Sequence, residues 1–218
     1  MSSLMKKPLF ISFEGIDGSG KSTQVARLAA KLTEMTGKET ILTREPGGTE
    51  TANKIREIIL DKFCQEPFPV KAESLLYYAS RVFNTENIIM PSLEAGMNVI
   101  CDRYFDSTLA YQVARGTDST EYGKTMKDLN YWCLGDFKPD YTILLDMPVD
   151  VAMERLSFNA QGLDRLESEA GFFMDAARNK FLQLALEEPE RFIVVNAENP
   201  VEVVHADIVS QLTDFINK

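Results

Sequence analysis

Apolar residues follow two alternating rhythms along this chain: short runs that are apolar at nearly every position, and longer stretches with one apolar residue every three or four. Phe10-Ile11-Ser12-Phe13 reads as a strand that ends at Gly15. From Lys21, the residues Val25, Leu28, Ala29, Leu32 and Met35 keep helical spacing, and Gly37 stops the helix. Residues 40–43 form a second strand, and Thr49 is an N-cap for a helix carrying Ile55, Ile58 and Ile59. Residues 64–69, with two prolines, are a loop. Residues 72–93 read as one long helix, with a break expected near Pro91. Residues 98–101 and 141–145 are strands. A helix starts over 150–156, fades into the polar run 157–162, and helical spacing returns over 169–186. Residues 192–195 are a last strand, and Asn199-Pro200-Val201-Glu202 supplies an N-cap, a proline at N1 and a glutamate at N3 for a helix burying Val204, Ile208 and Leu212. The alternation predicts an α/β, three-layer fold: a five-stranded parallel sheet flanked by helices, with right-handed crossovers and ligands beyond the carboxyl ends of the strands.

Length and composition narrow the class. A chain of 218 residues suits a single domain over 1–218, and 44% apolar with 26% charged residues argues against disorder or a rod. Cys64, Cys101 and Cys133 are odd in number, far apart and form no CxxC pair, so neither a disulfide framework nor a thiolate zinc site is expected. Free thiols fit a reducing cytoplasm. His205 is the single histidine, which excludes a histidine-rich metal centre. No apolar segment follows Lys6 and Lys7 as in a signal peptide, and no stretch nears the roughly 18 apolar residues of a membrane span. The expected location is therefore cytoplasmic, with no membrane contact. The net charge of −10 disfavours nucleic acid as a partner, while a small anion would need its own cluster of cations.

Such a cluster begins at the first strand. Gly15-Ile16-Asp17-Gly18-Ser19-Gly20-Lys21-Ser22 matches GxxxxGK[ST] between a strand and a helix. The glycines let backbone N–H groups turn inward around phosphates, and the helix start adds partial positive charge. Lys21 is the expected ligand of the β and γ phosphates, and the Ser22 hydroxyl that of Mg²⁺. The loop alone leaves two functions open: a phosphotransferase with a second pocket, or a nucleotide switch acting on proteins. A switch calls for a guanine-reading NKxD segment or an ABC-type signature, and the sequence has neither. A kinase calls for a second anion site. Arg44-Glu45-Pro46-Gly47-Gly48-Thr49 follows the second strand, and Asp102-Arg103 ends the third. Asp102 is placed to hold Mg²⁺ directly or through water, and Arg103 to fork onto a phosphate; a local ion pair is the other reading of adjacent acid and base.

With these pieces together the chain resembles the bacterial thymidylate kinases (dTMP kinases). The matching segments are Phe13 through Gln24, Arg44 to Thr49, Asp102-Arg103-Tyr104-Phe105-Asp106-Ser107-Thr108-Leu109-Ala110-Tyr111-Gln112, and Asp164-Arg165-Leu166-Glu167, and the likeness runs over 8–218. The resemblance implies a P-loop kinase that transfers the γ-phosphoryl of ATP to dTMP, giving dTDP and ADP, and that is usually a homodimer. ATP would rest on Gly15, Ile16, Asp17, Gly18, Ser19, Gly20, Lys21, Ser22 and Thr23. Asp17 would accept from the 3′-hydroxyl of dTMP, and Arg44 and Arg103 would bind its 5′-phosphate, beside Glu45 and Pro46. Tyr77, where the family usually has phenylalanine, would stack on thymine, although ordinary helix packing also explains it. Arg81, one turn on, would donate to the base O4; Ser107, Thr108 and Gln112 would line the base edge, and Tyr111 would wall off the 2′ position.

Some family members carry an arginine directly after the P-loop acid, where this chain has Gly18. The resemblance then places it with members whose arginines come from a mobile lid, here about 156–169. Ser157, Asn159, Gln161 and Gly162 give that segment little to bury. No further basic residue lies between Arg155 and Arg165, where related lids carry one or two. Lys21, Arg103, Arg155 and Arg165 are thus the expected catalytic cations, with Arg178 next. Asn84 stands where many relatives have histidine, and Asn196 where aspartate is common. The apolar stripe of Leu75, Val82 and Ile89 serves either a core or a dimer interface. A deoxynucleoside kinase is the nearest other enzyme, and its acceptor has no phosphate for Arg44.

Overall fold

The structure is a computed structural model that describes residues 7–61, 63, 66–115, 119–158 and 173–216. Phe10–Glu14 (β1) is buried throughout, with Ser12 and Glu14 its only polar side chains, as suits the centre of a parallel sheet. It is flanked by Asn98–Asp102 (β3) and Tyr141–Asp146 (β4), with Thr40–Arg44 (β2) and Phe192–Asn196 (β5) at the edges. All pairs are parallel, in the order β2-β3-β1-β4-β5. Right-handed crossovers place Lys21–Thr36 (α1) and Val201–Ile216 (α9) together on one face. The other face carries Val70–Asn84 (α3), Phe105–Arg115 (α5), Ser119–Leu134 (α6) and Met174–Glu187 (α8). Glu50–Leu60 (α2) packs on α3, and Val149–Phe158 (α7) follows β4.

The end signals read from the sequence hold at α1 and α2. Gly37 is in the left-handed region (φ 68°) and its N–H closes on Thr33 O at 2.8 Å. The Thr49 hydroxyl accepts from Ala52 N at 3.1 Å. The start of α9 differs. Its first bond runs from Val204 N to Pro200 O, one residue later than expected, and Glu202 reaches Arg27 at 3.2 Å, so the expected capping box is replaced by an ion pair. The expected break in the 72–93 helix also falls earlier than Pro91. Thr85–Ile89 is a π-helical turn in which Met90 N donates to Thr85 O, and a short helix, Met90–Glu94 (α4), follows. Pro91 has no N–H to give, and a widened turn ahead of it takes up the missing bond. Ile89 is fully buried and belongs to the core, whereas Leu75 is exposed.

The pattern assigns no element between residues 103 and 141, where the structure has α5 and α6. On α5 burial mixes polar and apolar residues: Asp106, Ser107, Thr108 and Gln112 are buried along with Phe105, Leu109 and Ala110, so no clean apolar stripe shows. Asp106 is held by Arg191, which donates to its two oxygens at 2.7 and 2.9 Å and to Thr142 Oγ1 at 2.6 Å. The guanidinium also lies 4.5 Å from the Phe192 ring centroid. This network ties α5 to β4 and to the start of β5. Arg191→Ala leaves the carboxylate of Asp106 buried without its partner, and is expected to lower the unfolding free energy by about 3–5 kcal/mol. Urea titration checks this, with Arg191→Ala/Asp106→Asn expected to recover part of the loss.

The expected 169–186 helix begins at Met174 as far as the described residues go. Of the expected lid, 156–158 close α7, and 159–169 lie outside the described residues, as does Cys64.

Candidate active site

The sheet delivers the chemistry at the carboxyl ends of β1, β3 and β2. After β1 the chain turns through glycines that no other residue fits. A Cβ at Gly15 (φ 136°) would stand 2.6 Å from Leu145 O, and one at Gly18 (φ 83°) 2.6 Å from Ala152 O. Gly20 (φ 89°) opens α1 with no side chain bonded to the helix start and no acid in its first turn. The loop therefore presents free N–H groups and a positive helix end, an arrangement for an anion. Lys21 folds back across the loop, donating to Gly15 O at 3.0 Å and Ile16 O at 2.9 Å. Burial, and then Arg103, push its pKa down to about 8. Ser22 and Thr23 are exposed at the helix start, while Ile16 and Ser19 are buried.

Ser22 Oγ donates to Asp102 Oδ2 at 3.2 Å, and Asp102 Oδ1 is buried with no hydrogen-bond partner among the described residues. These are hard oxygen donors with one lone-pair site unused, and they fit a small divalent cation that keeps most of its other positions for water and phosphate.

Arg103, the residue after β3, is in the left-handed region (φ 69°), a conformation that a non-glycine residue keeps only when its surroundings hold it. Its guanidinium donates to Asp17 Oδ1 at 2.6 Å, Gly15 O at 3.0 Å, Ser107 Oγ at 3.0 Å and Tyr111 OH at 3.4 Å. Burial alone would raise the Asp17 carboxyl, but Arg103, with Lys21, more than offsets it and holds the acid below its usual range. Tyr111 does more than wall a pocket: its ring lies 5.1 Å from the Arg103 guanidinium carbon and meets Phe181 edge-on at 5.9 Å. Arg44 pairs in register with Asp102 across β2 and β3, so it ends one position from Arg103. It is exposed and runs beside Gly47, with no carboxylate partner among the described residues.

Behind this cluster is a second, deeper one. The Glu45 amide donates to Asp102 O at 2.9 Å, across from a cis Glu45–Pro46 peptide, and its carboxylate takes Arg81 Nε at 2.7 Å. Arg81 is 1% exposed and also donates to Thr108 Oγ1 at 2.9 Å. Its guanidinium lies over Tyr78 at 4.9 Å. Burial pushes the Glu45 acid up to about 7 against the pull of Arg81. Arg81 Nη1 and Glu45 Oε1 are buried without partners among the described residues, leaving one donor and one acceptor for a ligand. Gln112 is buried and donates to Glu73 Oε1 at 3.0 Å. Tyr77 is half-buried; burial and Glu73 raise its hydroxyl, while Arg103 and Arg56 oppose, which places the ring among those groups.

Arg155 donates to Ala197 O at 3.1 Å and Glu198 O at 3.2 Å, on the turn after β5. Arg165 lies outside the described residues. Arg178 forms a bidentate pair with Asp146 at 2.7 and 3.0 Å. Asn84 accepts from Thr43 Oγ1 at 2.6 Å beneath Gly48.

Sequence reasoning missed Glu14, Arg56 and Glu73. Arg56 donates to Pro46 O at 3.1 Å and its charge is felt by both Asp17 and Tyr77. An acid inside an otherwise apolar strand was a visible signal for Glu14; Arg56 and Glu73 sit on ordinary amphipathic helices and gave none.

A sequence profile described as thymidylate kinase matches residues 13–208. The thymidylate kinase of Clavibacter sepedonicus is 44% identical over 201 residues, 92% of each chain. That of Sulfurihydrogenibium sp. (strain YO3AOP1) is 44% identical, covering 93% of this chain and 96% of its own. Among solved structures, thymidylate kinase from Ehrlichia chaffeensis superposes with a TM-score of 0.73 at 32% identity, over 94% of this chain and 99% of the other.

Proposed function

Because the chain belongs to the thymidylate kinase family and phosphorylates dTMP to dTDP with ATP as donor, we propose that Arg103 is the centre of its acceptor site. The observation that carries this reading is the strained backbone of Arg103, which sets a guanidinium between the P-loop acid Asp17 and the ring of Tyr111. An incoming 5′-phosphate takes the fork of Arg103, with Arg44 beside it and Glu45 and Pro46 forming the floor. Asp17 is then released from Arg103 to accept the sugar 3′-hydroxyl. Tyr77 stacks on the base, Arg81 Nη1 donates to it, and Ser107, Thr108 and Gln112 line its edge. Tyr111 closes the 2′ side while bracing Arg103.

ATP lies along residues 15–23, its phosphates on the loop N–H groups and on Lys21 once that side chain swings off its own carbonyls. Ser22 and Asp102 would hold Mg²⁺, which would supply charge neutralisation for the phosphoryl transfer. Catalysis is positioning and charge neutralisation, with no covalent intermediate. The P-loop has no room for an arginine of its own at Gly18, so the chain is of the type with catalytic arginines in the lid, Arg155 at its root and Arg165 beyond Gly162. The whole of 1–218 acts as one domain. No helix among the described residues is long and apolar enough to cross a membrane. We place the enzyme in the cytoplasm as a homodimer joined through the exposed apolar face of α3, where Leu75 is 59% and Phe83 40% exposed.

A thermal-shift panel tests the acceptor site, since a ligand that binds only the native state raises the melting temperature. dTMP is expected to raise it clearly, thymidine and GTP little, and Arg103→Lys to remove most of the dTMP shift while keeping that of ATP. Equal stabilisation by thymidine and dTMP would mean that no phosphate site exists. Loss of both shifts in Arg103→Lys would make Arg103 structural.

A further inference from the structure

We propose that Glu14 is a positioning residue for the acceptor site: its carboxylate, at the end of β1, sets both the backbone and the guanidinium of Arg103. The inference rests on the reading of Arg103 as the acceptor-phosphate ligand. Glu14 is fully buried, and its two oxygens are used on two different parts of the same target. Oε1 accepts from Tyr104 N at 2.7 Å, which fixes the peptide immediately after the left-handed residue. Oε2 accepts from Ser107 Oγ at 2.6 Å, and that hydroxyl in turn accepts from Arg103 Nη1 at 3.0 Å. The residues on either side of Glu14 complete the hold: Arg103 N donates to Phe13 O at 2.9 Å, and Arg103 Nη1 to Gly15 O at 3.0 Å. Three consecutive residues, the last two of β1 and Gly15 just after it, thus grip Arg103 at its amide, at the following amide and at its tip.

The grip is built against resistance. Burial, and then Asp106 from α5, push the Glu14 acid up to about 8, and Arg103 opposes them. What the group supplies is placement: both of its oxygens are committed, one to the amide after Arg103 and one to the hydroxyl that receives the guanidinium, and this holds the arginine in a disfavoured conformation.

Glu14→Gln keeps the shape and the acceptor for Tyr104 N, but turns the acceptor of Ser107 into a donor. The KM for dTMP is expected to rise about tenfold, the worth of one buried hydrogen bond, with the KM for ATP changed by less than about twofold. Placed on Arg103→Ala, which by itself raises the dTMP KM, Glu14→Gln is expected to add less than about twofold, because the group it positions is gone. Additive effects in that cycle, or equal losses for dTMP and ATP, would overturn the positioning role. If Arg103→Ala leaves the dTMP KM unchanged, the acceptor-site reading itself fails. Should Glu14→Gln lose its native melting transition, Ser107→Ala tests the same link from α5, with the same dTMP-selective rise and the same loss of effect on Arg103→Ala expected.

Discussion

Arg165→Ala is expected to lower kcat by about 10³-fold while moving the KM of either nucleotide only a few-fold, the pattern of a contact made in the transition state. The reasoning starts from a position that cannot supply the charge. Gly18 has φ 83°, and a Cβ there would press on Ala152 O, so the loop carries no arginine after Asp17. Through Ala152 O and the Leu156 side chain, α7 packs against the P-loop at this glycine, and Arg165 follows α7 in the sequence. Arg155 is already bonded to the carbonyls of Ala197 and Glu198 on the turn after β5. Its alanine variant is therefore expected to act chiefly on the KM for ATP. Steady-state kinetics on both variants decides the matter. If Arg165→Ala keeps kcat within a few-fold of the parent, the cation lies elsewhere, and Arg178, now paired with Asp146, is next to be removed.

Lys21→Ala is expected to cost about 10²–10³ in kcat, the loss found when one preorganised donor to developing charge is deleted. The fold should survive, because among the described residues the hydrogen bonds of Lys21 run to carbonyls of its own loop, and burial already weakens its hold on the proton. An unchanged melting temperature with collapsed turnover is the expected pair of results. Near-normal turnover would remove Lys21 from the phosphate site.

The parts of this molecule that were legible in the sequence are those whose chemistry is local. The P-loop is a run of eight neighbours, and Gly37 and Thr49 act on their own helix ends. The strands were visible because β1 and its partners bury both faces and leave no polar rhythm to confuse them. Illegible were the features made by residues distant in sequence. α5 hides behind a mixed buried face whose Asp106 is satisfied by Arg191, 85 positions away. The deeper cluster depends on Arg81 meeting Glu45, and the brace on Arg103 depends on Glu14 and Tyr111; spacing along the chain announces neither. At α9 the expected capping box is absent: Glu202 points to Arg27, distant in sequence, and the first helical bond runs to Pro200 O.

This chain moves a phosphoryl group from ATP to a nucleotide that already carries one. Incubation with ATP, Mg²⁺ and either dTMP or thymidine, with products separated by anion exchange, tests it directly. ADP and dTDP formed in equal amounts from dTMP, with thymidine left untouched, is the result expected of a site built around Arg103 and Arg44. Conversion of thymidine to dTMP, or release of ADP with no dTDP, would contradict it.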